Sequence, residues 1–159
     1  MTNNTYLKTQ KTARLTWVKS SDVHAKKLLI VLHGYGQLST FFSRKFSKLQ
    51  SNGYDILIPE GLHRFYLAGS AGRVGASWMT KEEREIDIQD NHAYLNEIIE
   101  MHGDAYEGIS ILGFSQGGAT AARYYCENQD RFGFLILWAS VFPPDIESLR
   151  TRLKGRNNY

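Results

Sequence analysis

The stretch from Ile109 to Tyr125, Ile-Ser-Ile-Leu-Gly-Phe-Ser-Gln-Gly-Gly-Ala-Thr-Ala-Ala-Arg-Tyr-Tyr, decides the fold. It begins with a short apolar run that contains β-branched side chains, which is typical of a buried strand. It ends in an alanine-rich segment, which favours a helix. The motif Gly-x-Ser-x-Gly joins the two, so the sequence predicts a strand, a sharp turn at Ser115 and a helix.

A sharp turn of this kind requires glycine on both sides of the serine. It forces Ser115 into an unfavourable backbone conformation and brings neighbouring backbone close, so the positions two before and two after must lack side chains. Gly113 and Gly117 meet that requirement. The turn exposes the hydroxyl at a helix N-terminus, where free N–H groups stabilise developing negative charge. Ser115 is therefore the candidate catalytic nucleophile, and the alternative is a serine that only caps the helix.

A second glycine-containing loop, Leu-His-Gly-Tyr-Gly-Gln at positions 32–37, follows the first long apolar run. In a fold of this type that loop supplies a backbone N–H opposite the one that follows the nucleophile. We assign the oxyanion hole to the amides of Tyr35 and Gln116. A turn that needs positive φ would equally explain Gly34 and Gly36.

The rest of the chain alternates apolar runs typical of buried strands with apolar residues at helical spacing. Strands that alternate with helices of ten or more residues imply an α/β fold, with a mostly parallel sheet covered by helices on both faces. The other predicted elements are an opening hairpin of Tyr6 to Thr9 and Ala13 to Val18, strands at Leu28 to Leu32, Tyr54 to Ile58 and Phe134 to Trp138, helices at Leu38 to Leu49 and Ile88 to Met101, a glycine-rich loop from Gly61 to Thr80, and a final helix from Pro143 with Ile146, Leu149 and Leu153 on one side.

The composition predicts a single domain over residues 1–159, because 42% hydrophobic residues suffice for one core and the length is too short for two. The longest apolar runs are about a third of the ~18 residues that a membrane-spanning helix needs, so no membrane span is predicted. The polar segment Met1 to Lys8 lacks the apolar core of a secretory signal, and Cys126 is the single cysteine. Both features favour the cytoplasm.

The net charge of +3 is concentrated near one end, where Arg150, Arg152, Lys154 and Arg156 lie. A nucleic-acid binder would show its basic residues as a face that runs through the fold, so no nucleic-acid partner is predicted. Histidine and cysteine do not cluster at the spacing of metal ligands, and no metal site is predicted.

These motifs resemble those of the carboxylesterase/phospholipase-like family of small α/β-hydrolases, which includes the acyl-protein thioesterases. The resemblance rests on Leu-His-Gly-Tyr-Gly at 32–36, on Ser77-Trp78 before an acidic helix start, and on Gly-Phe-Ser-Gln-Gly-Gly at 113–118. It covers nearly the whole chain. It implies that a small acyl ester or thioester is hydrolysed through an acyl-enzyme, without a cofactor or metal.

The glycine-rich loop carries aromatic side chains between its glycines, among them Phe65 and Trp78. This mixture is typical of a movable apolar wall of an acyl site, and we expect Trp78 to bind substrate. The alternative is that the aromatic side chains of this loop fill the core.

The sequence departs from the family in its histidines. Hydrolases of this fold order their triad as serine, acid and then histidine, but all five histidines precede Ser115, namely His24, His33, His63, His92 and His102. His33 is expected to order its loop by hydrogen bonding and not to act as a base. The triad acid and histidine are therefore not identified in this chain.

We expect the C-terminal strands of the sheet to be missing, because such domains commonly reach ~200 residues or more. The apolar strand at Phe134 to Trp138 would otherwise be a bare edge that favours association, including a homo-oligomer. Three hypotheses stay open: an incomplete hydrolase, a non-catalytic ligand- or partner-binding remnant of the same fold, and an acyltransferase that uses the same nucleophile.

Overall fold

The computed structural model of the protein describes residues 2–140 and 142–146. The strands in this part of the chain are β1 (Leu15–Val18), β2 (Lys27–Leu32), β3 (Tyr54–Pro59), β4 (His63–Tyr66), β5 (Val74–Ser77), β6 (Gly108–Phe114) and β7 (Leu135–Trp138). The helices are α1 (Ser39–Phe42), α2 (Arg84–His102) and α3 (Gln116–Glu127), with 3-10 segments at Ser43–Leu49, Gly103–Ala105, Gln129–Arg131 and Pro144–Ile146.

Five strands form one sheet in the order β1-β3-β2-β6-β7. The pairs β2 with β3, β2 with β6, and β6 with β7 are parallel, and only β1 runs antiparallel, against β3. The predicted mostly parallel sheet is confirmed. Since parallel strands place their carboxyl ends at one edge, the loops after β2 and β6 leave the sheet side by side.

The strands bury alternate side chains on opposite faces of the sheet, as the period of two requires. On β2, Leu28 and Ile30 pack against α2 and α3, whose buried residues include Leu95 and Tyr124. The intervening residue Leu29 packs on the other face, in a cluster with residues of α1 and of the 3-10 segment that follows it. The prediction of helices on both faces is therefore confirmed.

The predicted opening hairpin is wrong. Residues 6–9 form no strand, and β1 pairs with β3 far along the chain, with Trp17 opposite Leu57. This distant pairing packs Trp17 and Val18 into the cores on the two faces of the sheet. A local hairpin has no comparable core to bury these side chains.

The glycine-rich segment predicted as a loop contains a β-hairpin, in which β4 pairs with β5 and Phe65 lies opposite Gly75. A β-bridge joins Gln37 to Ala76 of β5, so the hairpin lies against the loop after β2. Gly75 makes this approach possible, because a Cβ there would lie 2.5 Å from the carbonyl oxygen of Gly36.

The strand predicted at Phe134 to Trp138 forms as β7, but it is not buried on both faces. Leu135 and Leu137 pack against the α3 side, together with Ile146. On the other face Phe134, Ile136 and Trp138 are 39–43% exposed to solvent within the described part of the chain.

The predicted final helix is described only as far as Pro144–Ile146, a 3-10 turn. Leu149 and Leu153 of that prediction lie outside the described residues. So do the basic residues Arg150, Arg152, Lys154 and Arg156. Among the helices that are described, none has the length and apolar character needed to cross a membrane.

The exposed face of β7 predicts self-association of a chain of residues 1–159, because covering a large apolar side chain is worth about 1.5–3 kcal/mol. We expect Ile136→Lys to shift the elution of this chain in size-exclusion chromatography towards the monomer, since a charge on an edge strand opposes pairing. Val23→Lys, at a loop residue that is 89% exposed, is the matched control and should leave the elution unchanged. A wild-type chain that already elutes as a monomer would contradict the prediction.

Candidate active site around Ser115

Ser115 lies at the turn between β6 and α3 with φ 52° and ψ −117°. This region is rarely adopted by a residue with a side chain and costs on the order of 1–3 kcal/mol, so the surroundings must hold it. The N–H of Ser115 donates to the carbonyl oxygen of Trp138 at 3.0 Å, which fixes the turn to the end of β7. The side chain is exposed at the edge of the sheet.

The glycines around Ser115 lie where backbone segments touch. A Cβ on Gly113 would collide with the carbonyl oxygen of Gly117, and a Cβ on Gly117 would lie 2.5 Å from the carbonyl oxygen of His33. Gly118, whose role sequence reasoning did not assign, faces the side chain of Ser140 in the same way. The turn therefore packs directly on the end of β2.

The loop after β2 uses its two glycines for different reasons. Gly36 has φ +73°, which glycine adopts without strain. Gly34 is needed for a different reason: the ring of Phe114 lies so close to its backbone that a Cβ there would be 2.9 Å from the ring. The positive-φ explanation therefore holds for Gly36 alone.

The two amides assigned to the oxyanion hole belong to Tyr35 in this loop and Gln116 at the first position of α3. Within residues 2–140 and 142–146, neither N–H donates to a protein acceptor. Each is thus free to bind a ligand oxygen. The N-terminus of α3 adds the partial positive charge of its unpaired N–H groups.

His33 is fully buried below this loop. Its Nδ1 pairs with the carbonyl oxygen of Gly34 at 2.8 Å, and its Nε2 accepts the N–H of Gly61 at 2.9 Å. This pairing requires the proton on Nδ1, and burial lowers the pKa of His33 below its ordinary value. Both ring nitrogens are occupied, so His33 orders the loop and is not free to accept a proton from Ser115.

The other histidines make contacts elsewhere. In the part of the chain that the structure describes, no side chain hydrogen-bonds Ser115 Oγ. His63 pairs with Asp87 at 3.1 Å, His92 pairs with Glu127 at 2.9 Å, His102 packs edge-on against Trp17, and His24 lies in an exposed turn before β2.

The expectation that Trp78 binds substrate is wrong, because its side chain is fully buried in the core. Its Nε1 donates to the carbonyl oxygen of His33 at 2.8 Å. His33 begins the loop after β2, residues 33–37, which we call the oxyanion loop because it carries the proposed donor Tyr35. The loop after β2 instead exposes an apolar surface at Tyr35, which is 59% exposed and packs on Phe65 with ring centroids 5.1 Å apart. Leu67 of the same hairpin contacts this loop at Gly36.

Sequence reasoning missed two polar side chains that bond to the segment around Trp78, those of the buried Asn91 and of Gln116. Asn91 of α2 donates from Nδ2 to the carbonyl oxygen of Trp78 at 2.7 Å, and the side chain of Gln116 binds the segment around Trp78. A signal for Asn91 was present, since it precedes Leu95 by four residues and Ile98 by seven on one face of a helix.

Asp145 lies in the 3-10 turn after β7 and contacts the helix that follows Ser115. It forms a bidentate pair with Arg123 of α3, at 2.8 Å and 2.7 Å. The hydrogen bonds from Arg123 lower the pKa of the Asp145 carboxyl below its ordinary value. This pair ties the segment after β7 to the helix that follows Ser115.

A model of the serine hydrolase family FSH1 matches residues 21–146, which is more than half of the chain and includes the turn and the oxyanion loop. The chain belongs to the FSH1 serine hydrolase family. None of the curated proteins matches its sequence significantly.

Solved structures similar to this FSH1 member are α/β-hydrolases. Acyl-protein thioesterase 2 of Zea mays superposes with a TM-score of 0.64 at 17% identity, over 92% of this chain and 69% of the thioesterase. A carboxylesterase of Bacillus cereus gives 0.61 at 16% identity, over 82% and 61% of the two chains. A soluble variant of monoglyceride lipase from Saccharomyces cerevisiae gives 0.60 at 17% identity, over 92% and 49%. These likenesses establish the α/β-hydrolase fold, and the chain spans from about half to just over two-thirds of the three proteins.

The contact between Gly117 and the end of β2 generates a stability prediction for this FSH1 member. We expect Gly117→Ala to lower the free energy of unfolding by about 1–3 kcal/mol, because the added methyl group must displace backbone atoms. Gly108→Ala is the matched control, since a Cβ there has no neighbour within 4 Å. Urea unfolding of both variants measures the difference, and equal midpoints would contradict this account of the turn.

Proposed function

We propose that this chain supplies the nucleophile and the oxyanion hole of a serine hydrolase that cleaves small carboxylic esters or thioesters. The observation that carries the proposal is the backbone of Ser115, whose φ of 52° at a strand-to-helix turn holds an exposed hydroxyl in a strained conformation. Strain of this kind persists where function requires it. The two unpaired amides of Tyr35 and Gln116 add a site for a negatively charged oxygen.

The reaction proposed is acyl transfer to Ser115 and then to water. Ser115 Oγ bonds to the carbonyl carbon as the serine proton passes to a base, and the displaced electron pair moves to the carbonyl oxygen. The N–H groups of Tyr35 and Gln116 stabilise this oxyanion. Collapse of the intermediate breaks the bond to the leaving alcohol or thiol, which takes up the proton. Water then adds to the acyl-enzyme, releases the acid and restores the serine.

The base is the part of this mechanism that the described contacts of Ser115 do not include. His33 is excluded because both of its ring nitrogens are bonded to the backbone. The family resemblance implies a histidine that follows the nucleophile in sequence, and no histidine of this chain does so. The described part of the chain therefore provides the serine and the proposed oxyanion donors, and none of its side chains bonds Ser115 Oγ as a proton acceptor.

The surroundings of Ser115 support an acyl substrate. Tyr35 of the oxyanion loop and Leu67, which approaches Gly36 of that loop, are 59% and 40% exposed. These side chains offer apolar area to a short or medium acyl chain. We propose such esters as substrates. We also propose a cytoplasmic location, which the single cysteine of the chain favours.

With imidazole added as the proton acceptor that the described contacts of Ser115 lack, a fluorophosphonate probe should label the chain at Ser115, because phosphonylation needs an exposed serine and a donor site for the phosphoryl oxygen. Ser115→Ala should abolish the labelling, as mass spectrometry of the modified peptide would measure. Ser47→Ala is the matched control, since Ser47 is an exposed serine on a 3-10 segment and should leave labelling unchanged. A wild-type chain that stays unlabelled even with imidazole present would overturn the proposal and favour a non-catalytic remnant of the fold.

Added imidazole should accelerate this labelling, because Ser115 Oγ has no hydrogen-bonded base in the described residues. The rate should increase with the concentration of neutral imidazole and therefore rise with pH through the imidazole pKa. N-methylimidazole, which also accepts a proton, should act similarly, whereas imidazolium at low pH should not. A labelling rate that is fast and independent of imidazole would mean that a group of the chain itself already serves as the base.

A further inference from the structure

We infer that Trp78 is a positioning residue that fixes the separation of the two oxyanion amides. This inference rests on the proposed function, and it concerns a side chain that touches neither the nucleophile nor the substrate site. Trp78 lies between the oxyanion loop and the N-terminus of α3 and is bonded to both. Gln116, Trp78 and His33 are linked by hydrogen bonds, and we call this linked set the strut. It connects the two segments that carry the proposed oxyanion amides.

Trp78 is held at three polar atoms. Its backbone N–H donates to Gln116 Oε1 at 3.0 Å, its carbonyl oxygen accepts from Asn91 at 2.7 Å, and its indole Nε1 donates to the carbonyl oxygen of His33 at 2.8 Å. The residue is fully buried. Because the backbone of Trp78 is bonded on both sides and its indole is fully buried, the indole has little room to change rotamer, and its Nε1 constrains the position of the His33 carbonyl group.

Gln116 connects this strut to the first amide. Its Oε1 also accepts from the Ser77 hydroxyl at 3.2 Å, and its Nε2 donates to the carbonyl oxygen of Met79 at 2.8 Å. The Gln116 side chain is thus hydrogen-bonded to three consecutive residues, 77–79. Because the same residue carries the proposed oxyanion N–H on its backbone, the position of that N–H is tied to Trp78.

His33 connects the strut to the second amide. The His33 ring donates from Nδ1 to the carbonyl oxygen of Gly34 at 2.8 Å. In a trans peptide the C=O and the N–H point in opposite directions, so this bond turns the N–H of Tyr35 away from the buried ring. The carbonyl oxygen of His33 itself is held by the indole. Each oxyanion donor therefore belongs to, or lies two residues from, a residue that is hydrogen-bonded to Trp78.

A second contact between the same segments supports this arrangement. Ala76, two residues before Trp78, accepts the N–H of Gly36 at 2.9 Å and donates to the carbonyl oxygen of Gln37 at 3.1 Å. The oxyanion loop is thus bound to β5 on one side and to the indole on the other. Filling the core would require only the bulk of Trp78, whereas positioning the loop requires its indole N–H.

Trp78→Phe separates these two roles, because it keeps an aromatic ring and removes the bond to the His33 carbonyl oxygen. Trp17→Phe is the matched control, since Trp17 packs against the same core cluster and makes no bond to the loop. The rate of fluorophosphonate labelling at Ser115 is measured as a function of probe concentration. We expect Trp78→Phe to lower the maximal labelling rate about 10- to 100-fold with little change in the half-saturating concentration, since a displaced oxyanion donor costs less than the 10²–10³ of a deleted one.

Gln116→Met tests the other end of the strut and keeps the backbone N–H in place. It should lower the maximal rate in the same way, while Gln129→Met, in the 3-10 segment that follows α3, should not. Amide resonances of 15N-labelled protein give a readout that does not depend on catalysis. The Tyr35 and Gln116 amides should shift in Trp78→Phe and stay in place in Trp17→Phe. Circular dichroism verifies that each variant is folded.

The outcomes separate this inference from the proposed function. If the wild-type chain is not labelled, the proposed function fails, and the Tyr35 resonance alone decides whether Trp78 holds the loop. If the wild-type chain is labelled and Trp78→Phe matches Trp17→Phe in rate and in both amide resonances, Trp78 is a core residue only and the inference is wrong.

Discussion

The contact of the β6–α3 turn with the end of β2 is the constraint on which the site depends. Leu32 and Gly113 lie opposite each other in neighbouring parallel strands, so the two loops leave the sheet together. Gly117 then rests directly on the backbone of Leu32 and His33. Any side chain at Gly117 would push α3 away from β2, and the first residue of α3, Gln116, away from the loop that carries Tyr35.

The sequence predicted this region well because its signals are local. An apolar run predicts a central strand such as β2, and the glycines flanking Ser115 predict a sharp turn. Neither inference needs a distant partner. The parallel sheet follows from the alternation of such strands with helices, and it places both loops at one edge. The sequence alone therefore identifies Ser115 as the candidate nucleophile and the amides of Tyr35 and Gln116 as candidate oxyanion donors.

Features that depend on distant partners could not be predicted in the same way. β1 pairs with β3 because Trp17 and Val18 find a core on each face of the sheet, and the local pattern shows only a β-prone segment. The direction in which Trp78 points depends on an acceptor 45 residues earlier in the chain. Its glycine-rich surroundings favour a mobile loop, but backbone pairing of β4 with β5 orders them.

The glycines of the oxyanion loop also explain why side chains that hydrogen-bond to its backbone surround it. Glycine has the largest conformational entropy to lose on folding, and it contributes no side chain to hold its own backbone. The oxyanion loop contains two glycines, so its rigidity must come from neighbouring residues. His33, Trp78 and Gln116 provide it by bonding to backbone atoms of the loop or of one another. Each bond replaces the hydration that a buried carbonyl or N–H group would otherwise lose. The same residues that satisfy buried backbone groups thereby restrict the backbone of the oxyanion loop and of the N-terminus of α3, where the N–H groups of Tyr35 and Gln116 have no acceptor among the described residues.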